Sequence, residues 1–410
     1  MTKLTKLKDI ITEIPKKNIL LRTDFNVPLR DGCVFDDWRI KESIPTITKI
    51  LENQPKGLIM ISHMGRPRGT FVKDLSLRPV SDYLEKHLKT RIRFIESGVC
   101  QEAVEICSDL KNGEVAILEN LRFDRNEEKK YLKESSDLNE HSQFVHNLNK
   151  LGHVYVNDAF GCLHRAHSSI TDISVKIKSI GLLVEKELMF FDKLINGNDK
   201  KGRKALILGG AKVEDKIPMI LNLLPKIDDL LIGGGMAFTF ISEIEKVQTG
   251  KSLINIQAKS YIPEILAQAQ KYNVKVHFPV DYLCGKSPKD ESPKLLNNVI
   301  GIAESLAGYD IGPKTIDLFK NILKESDSIL INGTMGVSEE KAYSNGTYNV
   351  LKELSKKGKN GGLVIVCGGD TVSSVRSMGL ESGISHISTG GGASLKYLEE
   401  NTLTGLSLFS

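Results

Sequence analysis

Short apolar runs alternate along the chain with longer segments in which apolar residues recur every three or four positions. The runs are rich in Ile, Val and Leu, which is typical of strands buried on both faces by crossover helices. The longer segments, such as 81–88 and 263–271, have the period of amphipathic helices. Strand and helix alternate from residue 18 to about 160 and again from about 203 to 390. This order predicts two open parallel sheets, each covered by helices.

The residues that follow the predicted strands differ between the two halves of the chain. First-half strands lead into charged segments: Arg22-Thr23-Asp24, Ser62-His63-Met64-Gly65-Arg66 and Glu119-Asn120-Leu121-Arg122. Second-half strands lead into glycines: Gly209-Gly210, Gly233-Gly234-Gly235 and Gly368-Gly369. Ligands of such sheets bind beyond the carboxyl ends of the strands. Arginine and histidine suit a small anion, whereas glycine lets backbone N–H groups approach a polyphosphate. We therefore predict two ligand sites of different chemistry.

A chain of 410 residues exceeds the size at which a single core keeps growing. We predict an α/β protein of two doubly wound, parallel-sheet (Rossmann-like) domains that are joined by a helix. The apolar pattern of 181–191 predicts that connecting helix, and a helix over 393–399 begins a segment that returns to the first domain. The predicted boundaries are 1–175 with 395–410 for the N-terminal domain, 176–196 for the interdomain helix, and 197–394 for the C-terminal domain.

The amino-acid composition limits the classes of partner that the protein is expected to bind. The chain has 56 Lys and Arg against 51 Asp and Glu, a net charge of +5, and only 6% aromatic residues. No basic cluster with interleaved aromatics is present, so we expect no nucleic-acid partner. The six cysteines form no CxxC pair, and no apolar run approaches the ~20 residues that a membrane helix needs. We expect a cytoplasmic monomer with reduced thiols, no signal peptide and no membrane partner.

Arginines and histidines at the strand ends of the first half are candidates for anion binding. Any single arginine is more often structural, but the sets 62–67 and 164–169 both follow buried strands. Several converging arginines repel one another unless an anion neutralises them, which favours a ligand with phosphate and carboxylate groups. Asp24 and Asn26 could hold a hydroxyl group between those charges. Acid–base work by the histidines stays open, while metal binding by His164 and His167 has little support.

The glycine-rich strand ends of the second half favour a nucleotide. Lys212 and Lys216 lie four apart after a glycine turn, and lysine suits a phosphate chain whose charge changes. Asp370 is placed to hold a magnesium ion that rides on phosphates. The segment 249–252 ends like a P-loop but lacks its first glycine, and 233–238 has Phe where a dinucleotide fingerprint needs glycine. The polar stretch 125–150 is predicted to be a solvated surface helix.

Seven motifs occur in order along nearly the whole chain. They are 22–28 (RTDFNVP), 62–67 (SHMGRP), 119–123 (ENLRF), 157–161 (NDAFG), 209–212 (GGAK), 368–371 (GGDT) and 388–394 (STGGGAS). Together these motifs resemble the phosphoglycerate kinase family. The resemblance implies reversible phosphoryl transfer between ATP, with Mg2+, and the carboxylate of 3-phosphoglycerate. It also implies a 3-phosphoglycerate site in the N-terminal domain, a nucleotide site in the C-terminal domain, and hinge closure before in-line transfer.

Motif matching to that family assigns the site residues. The substrate-binding set is Arg22, Asp24, Phe25, Asn26, Arg39, His63, Met64, Gly65, Arg66, Arg122, Arg165 and His167. The nucleotide-binding set is Gly210, Lys212, Lys216, Gly234, Asn332, Glu339, Gly368, Gly369, Asp370 and Thr371. Glu339 is expected at the ribose and Asp370 at magnesium. The residues expected to stabilise charge on the transferred group are Arg39, Lys212, Gly369 and Gly392.

The sequence departs from the family pattern at 331–339, where Ile331, Thr334 and Ser338 replace Trp, Pro and Phe. Cys162 stands where the family tends to carry a smaller or hydroxylic residue. Two alternatives therefore stay open beside the kinase. One is a nucleotide-binding regulator that keeps the fold without turnover. The other is a sugar-phosphate enzyme that uses His63 or His167 as a base and needs no nucleotide.

Overall fold

The computed structural model describes residues 3–132, 135–197 and 202–410. Contacts divide the chain into two compact units. Unit 1 contains the residues up to Leu188 together with Thr402–Ser410, and unit 2 contains Met189–Asn401. The division falls inside one helix, whereas the sequence analysis assigned a separate segment, 176–196, to the connection. No helix in the described ranges is both long and apolar enough to cross a membrane.

Unit 1 consists of eight strands and six helices in the described residues. The strands are β1 Asn18–Arg22, β2 Leu29–Arg30, β3 Cys33–Val34, β4 Gly57–Ile61, β5 Ile92–Ile95, β6 Glu114–Leu118, β7 Val154–Asn157 and β8 Ile177–Ile180. The helices are α1 Trp38–Glu52, α2 Arg78–Leu88, α3 Gln101–Ser108, α4 Ser135–Lys150, α5 Ser168–Thr171 and α6 Leu182–Asn196, of which the last continues into unit 2. The main 3-10 turns are Leu7–Glu13, Leu121–Phe123, Lys129–Tyr131 and Thr404–Phe409.

The six-stranded sheet of unit 1 has the order β5-β6-β4-β1-β7-β8, with every pair parallel. Its central strands β1, β4 and β7 are buried along their whole length, as their apolar sequences predict. β1 lies between β4 and β7, so the strand order reverses at β1. The loops that leave the carboxyl ends of these strands therefore meet at a switch point, where α/β sheets bind their ligands.

Unit 2 consists of nine further strands and eight helices that begin in it. The strands are β9 Lys204–Leu208, β10 Asp229–Ile232, β11 Lys275–His277, β12 Asp281–Gly285, β13 Lys294–Asn297, β14 Ala307–Ile311, β15 Ser328–Asn332, β16 Leu363–Cys367 and β17 His386–Ile387. The helices are α7 Ile217–Leu223, α8 Met236–Ile244, α9 Ile256–Lys259, α10 Ile262–Lys271, α11 Pro313–Glu325, α12 Asn345–Lys359, α13 Gly369–Ser377 and α14 Gly392–Glu400, counted among the residues that the structure describes.

The second sheet has the order β11-β10-β9-β15-β16-β17, and all of its pairs are parallel. Two six-stranded parallel sheets confirm the predicted α/β class. The sequence analysis missed the three-stranded antiparallel sheet β13-β12-β14. Its strands contain glycine and charged residues between their apolar positions, so they lack the continuous apolar runs that mark the other strands.

Two helix predictions need correction. The predicted helix 181–191 begins at Leu182 and continues to Asn196, because its apolar face extends through Phe191, Leu194 and Ile195. The predicted surface helix over 125–150 is wrong in its first part. A 3-10 turn precedes α4, and both Glu127 and Glu128 are buried. Their burial follows from partners that lie far away in the sequence, as described below.

Candidate active site

Asp24 and Arg39 form the centre of a charged cluster in unit 1, which also includes Asn26, His63 and Arg122. Asp24 lies in the loop after β1, and Arg39 lies in the first turn of α1. The Arg39 guanidinium donates to Oδ2 of Asp24 at 2.7 Å. Oδ1 of the same carboxylate lies 3.9 Å from Nδ1 of His63, which follows β4. The loops after β1 and β4 and the start of α1 thus bring a carboxylate, a guanidinium and an imidazole together.

A chain of hydrogen bonds joins Asn26, Gly65 and Arg122. Asn26 Oδ1 accepts from the backbone N–H of Gly65 at 2.9 Å, and the Gly65 carbonyl accepts from Arg122 at 2.8 Å. Gly65 has a φ of +60°, and an added Cβ would lie 2.7 Å from Leu75. Only glycine fits this position without strain. The contact fixes the amide of Asn26 and the guanidinium of Arg122 relative to each other.

Arg22 is part of this region but is completely buried. Its Nε donates to Ser169 Oγ at 2.9 Å, and it also donates to the carbonyl of Thr23. Its guanidinium lies 3.8 Å from the carboxylate of Glu127, which is equally buried. The sequence analysis expected the arginines to be neutralised by a bound anion. For Arg22 that expectation is wrong, because the protein supplies the counter-charge itself.

Glu127 and Glu128 are site residues that the sequence analysis missed. Glu127 accepts from the backbone and the hydroxyl of Ser169 at 3.0 and 2.7 Å. His167 lies 3.7 Å from Glu127 and 3.5 Å from Glu128. Burial alone raises the pKa of Glu127, but hydrogen bonding from His167 and the charge of Arg22 outweigh it, so the pKa lies below its ordinary value. Several arginines follow neighbouring strands, and this could have indicated that buried carboxylates balance their charge.

The other residues that were predicted to bind the substrate differ in how far their side chains are exposed to solvent. Arg66 is exposed, and Arg39 and Arg165 are half-buried, so these guanidinium groups are available to a ligand. The side chains of Phe25 and Met64 belong instead to the hydrophobic core of unit 1. Only their backbone remains near the cluster, and the Phe25 N–H is already bonded to Ser62 Oγ at 2.8 Å.

The imidazole of His63 is held in its neutral form. Burial, together with the charges of Arg122 and Arg22, lowers its pKa well below the ordinary value. His164 is affected in the same way, because burial and Arg165 lower its pKa to about 4. Such weak bases do not suit proton abstraction near neutral pH. The low pKa of His63 therefore favours a role in ligand binding over acid–base catalysis.

Unit 2 builds its site largely from backbone. Gly210 and Gly234, which follow β9 and β10, have φ of +78° and +62°. An added Cβ on Gly234 would lie 2.5 Å from the Gly210 nitrogen, so the two glycine turns touch. The Gly210 N–H donates to the Thr334 carbonyl at 2.8 Å, which ties both turns to the loop after β15. Glycine is required here for close backbone approach.

A pocket of about 930 Å³ opens beside these turns. Four residues of the predicted nucleotide set line it: Gly210, Gly234, Glu339 and Asp370. The lining that the sequence analysis did not assign to the nucleotide includes Lys251, Leu253, Tyr309, Ser338, Ser373 and Ser374. Lys251 belongs to the rejected P-loop look-alike, and it lies in a turn ahead of α9. A pocket of this size matches a drug-sized ligand.

The remaining predicted nucleotide residues surround the ends of β15 and β16. The side chain of Asn332 is buried, and its Nδ2 finds no hydrogen-bond partner among the described residues. Thr371 Oγ1 accepts from the Gly333 N–H at 2.8 Å. Lys216 is buried and donates to the Gly209 carbonyl at 2.9 Å, and burial lowers its pKa. Lys212 is exposed. The amide N–H group of Asn332 could therefore donate to a ligand.

Two helices begin at glycines of the predicted set. α13 begins at Gly369, and α14 begins at Gly392, so each presents backbone N–H groups at its first turn. The carboxylate of Asp370 lies in the first turn of α13, exposed and facing the pocket. One carboxylate together with ligand phosphates and water is the set that Mg2+ prefers in kinases. The residues of this pocket therefore fit the predicted magnesium ion.

The loop that departs from the family pattern is well anchored. Ile331 is buried within β15, and Thr334 is buried beneath the glycine turns. Ser338 Oγ accepts from Ser374 Oγ at 3.0 Å. Two of the three residues, Ile331 and Ser338, are smaller than those of the family pattern, yet the loop is supported at all three positions.

Comparison with known proteins identifies the family. The family model described as phosphoglycerate kinase matches residues 7–401. The chain is 40% identical over 404 residues to a phosphoglycerate kinase of Tetrahymena thermophila, covering 97% of this chain and 96% of the relative. It is 39% identical over 409 residues to that of Schistosoma mansoni, covering 98% of each.

Solved structures agree with the sequence relatives. The phosphoglycerate kinase of Coxiella burnetii superposes with a TM-score of 0.83 at 28% identity, covering 99% of this chain and 98% of the other. The enzyme of Pyrococcus horikoshii OT3 gives 0.82 at 29% identity, with the same coverage. The predicted kinase class is confirmed, and nothing in the comparisons supports the regulator. The chain belongs to the phosphoglycerate kinase family.

Proposed function

We propose that this chain catalyses reversible phosphoryl transfer between ATP and the carboxylate of 3-phosphoglycerate, giving ADP and 1,3-bisphosphoglycerate, in glycolysis and gluconeogenesis. The observation that carries the proposal is the presence of two candidate ligand sites of different chemistry in one chain. Unit 1 has a cluster of polar and cationic side chains at the carboxyl edge of its sheet. Unit 2 has a glycine-built pocket at the same edge of its own sheet.

The acceptor is assigned to unit 1. Arg39, Arg66 and Arg165 are exposed or half-buried, so they can bind the carboxylate and phosphate groups in bidentate fashion. Asp24 and Asn26 carry the acceptor groups that can orient a hydroxyl. The buried members of the set, Arg22, Arg122 and His167, are paired with Glu127 and Glu128 beneath these side chains.

The nucleotide is assigned to unit 2. The turn at Gly234 and the N-terminus of α13 present backbone N–H groups suited to phosphates, and the turn at Gly210 lets the backbone approach closely. Lys212 adds a mobile positive charge, and Glu339 at the rim of the pocket is suited to ribose hydroxyls. Asp370 would hold the magnesium ion, which when bound supplies positive charge to the phosphate oxygens.

The chemistry requires electrostatic stabilisation rather than a covalent intermediate. A carboxylate is already a nucleophile, but it must approach a polyanion in line. Arg39, Lys212 and the helix N-termini at Gly369 and Gly392 are the groups that we assign to the charge on the transferred phosphoryl oxygens. The low pKa of His63 argues against a sugar-phosphate enzyme that uses this histidine as a base.

A coupled assay tests the proposal directly. The purified chain is mixed with 3-phosphoglycerate, Mg2+ and either ATP or GTP, and formation of 1,3-bisphosphoglycerate is followed through a reducing dehydrogenase. We expect turnover that requires nucleotide and acceptor together. Turnover of a sugar phosphate without nucleotide would contradict the proposal, and binding of both ligands without turnover would revive the regulator.

Three further expectations stay predictions. Hinge closure should reduce the radius of gyration in small-angle scattering when both substrates and Mg2+ are added. The monomeric state can be measured by the same scattering experiment from the forward intensity. A cytoplasmic location is supported by six cysteines, all of them free thiols, and can be checked by fractionation.

A further inference from the structure

Three side chains capable of binding a metal converge beside the acceptor site of unit 1. Asp24, His63 and Cys162 each offer one ligand atom, and these atoms all lie within 4.8 Å of one another. All three side chains are buried. They come from the ends of three different strands, β1, β4 and β7, so their spacing along the sequence gives no sign of the grouping. No other such group is present in the part of the chain that the structure describes.

The distances are close to those of a metal centre. Cys162 Sγ lies 3.7 Å from His63 Nδ1, and that nitrogen lies 3.9 Å from Asp24 Oδ1. Ligand atoms around a tetrahedral zinc ion are roughly 3.4 to 3.6 Å apart, given bond lengths of about 2.0 to 2.3 Å. Movements of a few tenths of an ångström up to somewhat more than one ångström would therefore bring the three atoms to the spacing of zinc ligands.

We propose that Asp24, His63 and Cys162 form a three-ligand site for a zinc-type divalent cation, and that the cation competes with the acceptor. Sulfur, imidazole and carboxylate are the donors that Zn2+ takes, and three protein ligands leave a fourth position open. The competition rests on the proposed function, because Asp24 is assigned to the acceptor. The site itself is separate from the magnesium assigned to Asp370 in unit 2.

A cation at this site has to be held beside three guanidinium groups, those of Arg22, Arg39 and Arg122. Asp24 binds Arg39 through Oδ2, so Oδ1 still faces the imidazole. Arg22 lies 3.5 Å from the imidazole and 3.7 Å from the sulfur, but its charge is balanced by Glu127. On binding, the thiol loses its proton and the thiolate offsets one charge of the ion, while the Asp24 carboxylate is shared between the ion and Arg39. The Arg22 contacts to both ligands are the interactions that the metal must replace.

Cys162 supplies the sulfur ligand of the proposed site. Because Cys162 is not assigned to substrate, its replacement by serine tests the metal site without removing a substrate contact. Cys33, the exposed cysteine of unit 1, provides the matched control, because it is the thiol most open to adventitious metal.

The experiment is a Co2+ titration of the reduced, metal-free full chain, followed by absorbance. We expect a near-ultraviolet sulfur-to-cobalt charge-transfer band with four-coordinate visible bands, all removed by added Zn2+. Cys162→Ser should abolish the charge-transfer band and weaken Zn2+ binding by at least about 10- to 100-fold, since even second-shell losses cost that much. Cys33→Ser should bind as the unaltered chain does. Fluorescence of Trp38 verifies that each variant is folded.

A missing band in the unaltered chain, or a band that survives in Cys162→Ser, overturns the metal site. A second titration adds 3-phosphoglycerate to the cobalt-loaded protein, and we expect the band to disappear. If the band persists although the coupled assay shows turnover, the competition is overturned. If the coupled assay fails while the cysteine-dependent band is present, the proposed function fails and the metal site stands.

Discussion

The two candidate ligand sites are built from different materials. Unit 1 uses side chains, and most of them are buried and already paired, as with Arg22 and Glu127. Unit 2 uses backbone at glycine turns, and its charged residues Lys212 and Asp370 are exposed. Under the proposed function, a small, highly charged acceptor would bind to a rigid arrangement of charges that the protein has stabilised in advance. The longer nucleotide would bind in an open pocket with few fixed charges.

This difference predicts where each unit is most sensitive to change. In unit 1 the sensitive positions lie beneath the site, among the acids that hold the arginines in place. In unit 2 they are the exposed cation and the glycine turns that face the pocket. Substitutions at these positions in the two units therefore test the contrast.

The largest effect is expected for Glu127→Gln. The change keeps the shape but removes the charge that balances Arg22, and it leaves one oxygen in place of the two that accept from Ser169. Breaking a buried ion pair from one side costs about 3 to 5 kcal/mol. The free energy of unfolding of unit 1 should fall by that amount, measured by denaturant titration with the fluorescence of Trp38, the only tryptophan.

Glu140→Gln is the control, because Glu140 pairs with Arg125 on the surface. Its loss should cost less than about 1 kcal/mol. The pKa of Glu127 is lowered in the folded protein, so its contribution is present above the ordinary carboxyl range and is lost as pH falls. Equal destabilisation by the two variants would show that Arg22 does not depend on Glu127.

The next largest effect is expected for Lys212→Ala in unit 2. An exposed lysine at a glycine turn contributes little to folding, so the loss should appear in catalysis. Removing one donor to the charge that develops in the transition state lowers kcat by about 100- to 1000-fold. Steady-state kinetics with varied ATP measure this change, with Lys271→Ala at the exposed end of α10 as control. A rise in the KM for ATP alone would make Lys212 a binding residue.

The sequence predicted the parts of both units that depend on local signals. The apolar runs that became β1, β4 and β9, and the turns at Gly210 and Gly234, need only neighbouring residues to be recognised. The buried pairing in unit 1 depends on distant contacts. Ser169 and Glu127, which both contact Arg22, are 42 positions apart, and a polar stretch gives no sign of which acids turn inward.

The convergence of Cys162 on His63 was missed for the same reason, because these residues are 99 positions apart. Metal binding was judged from spacing within single segments, which shows only ligands on one helix or loop. The sheet topology brings the three ligands together, because β1, β4 and β7 are neighbours in the sheet. A list of residues at the carboxyl ends of adjacent strands would have placed the three ligands together.

A moderate effect is expected from Asp158→Asn in unit 1. Asp158 is buried and accepts from the Leu183 N–H at 2.8 Å at the start of α6. Burial raises its pKa to about 7. Between about pH 4 and 7 the folded state keeps a proton that the unfolded chain has lost, so stability falls as pH rises, by at most about 1.4 kcal/mol per unit. Asparagine keeps the acceptor and removes the titration.

The slope of unfolding free energy against pH, again followed by Trp38, should therefore become flatter in Asp158→Asn. Asp82→Asn, an exposed carboxylate on α2, is the matched control and should leave the slope unchanged. A slope that Asp158→Asn does not alter would mean that this carboxyl is ionised throughout the range. Unit 1 would then tolerate a buried charge that its neighbours do not balance.

The smallest effect is expected for Ser338→Ala in the nucleotide pocket. Ser374 has one hydroxyl proton, and it can donate either to Ser338 or to the carbonyl of Asp370 at 2.9 Å. Losing Ser338 leaves the second bond available, so the cost is below that of a typical neutral hydrogen bond, about 0.5 to 1.5 kcal/mol. The KM for ATP should rise less than about tenfold with kcat unchanged.

Ser377→Ala, on the same helix and the same pocket wall, is the control. A large loss of kcat would show that side chains position the nucleotide in unit 2 as strictly as they position the acceptor in unit 1.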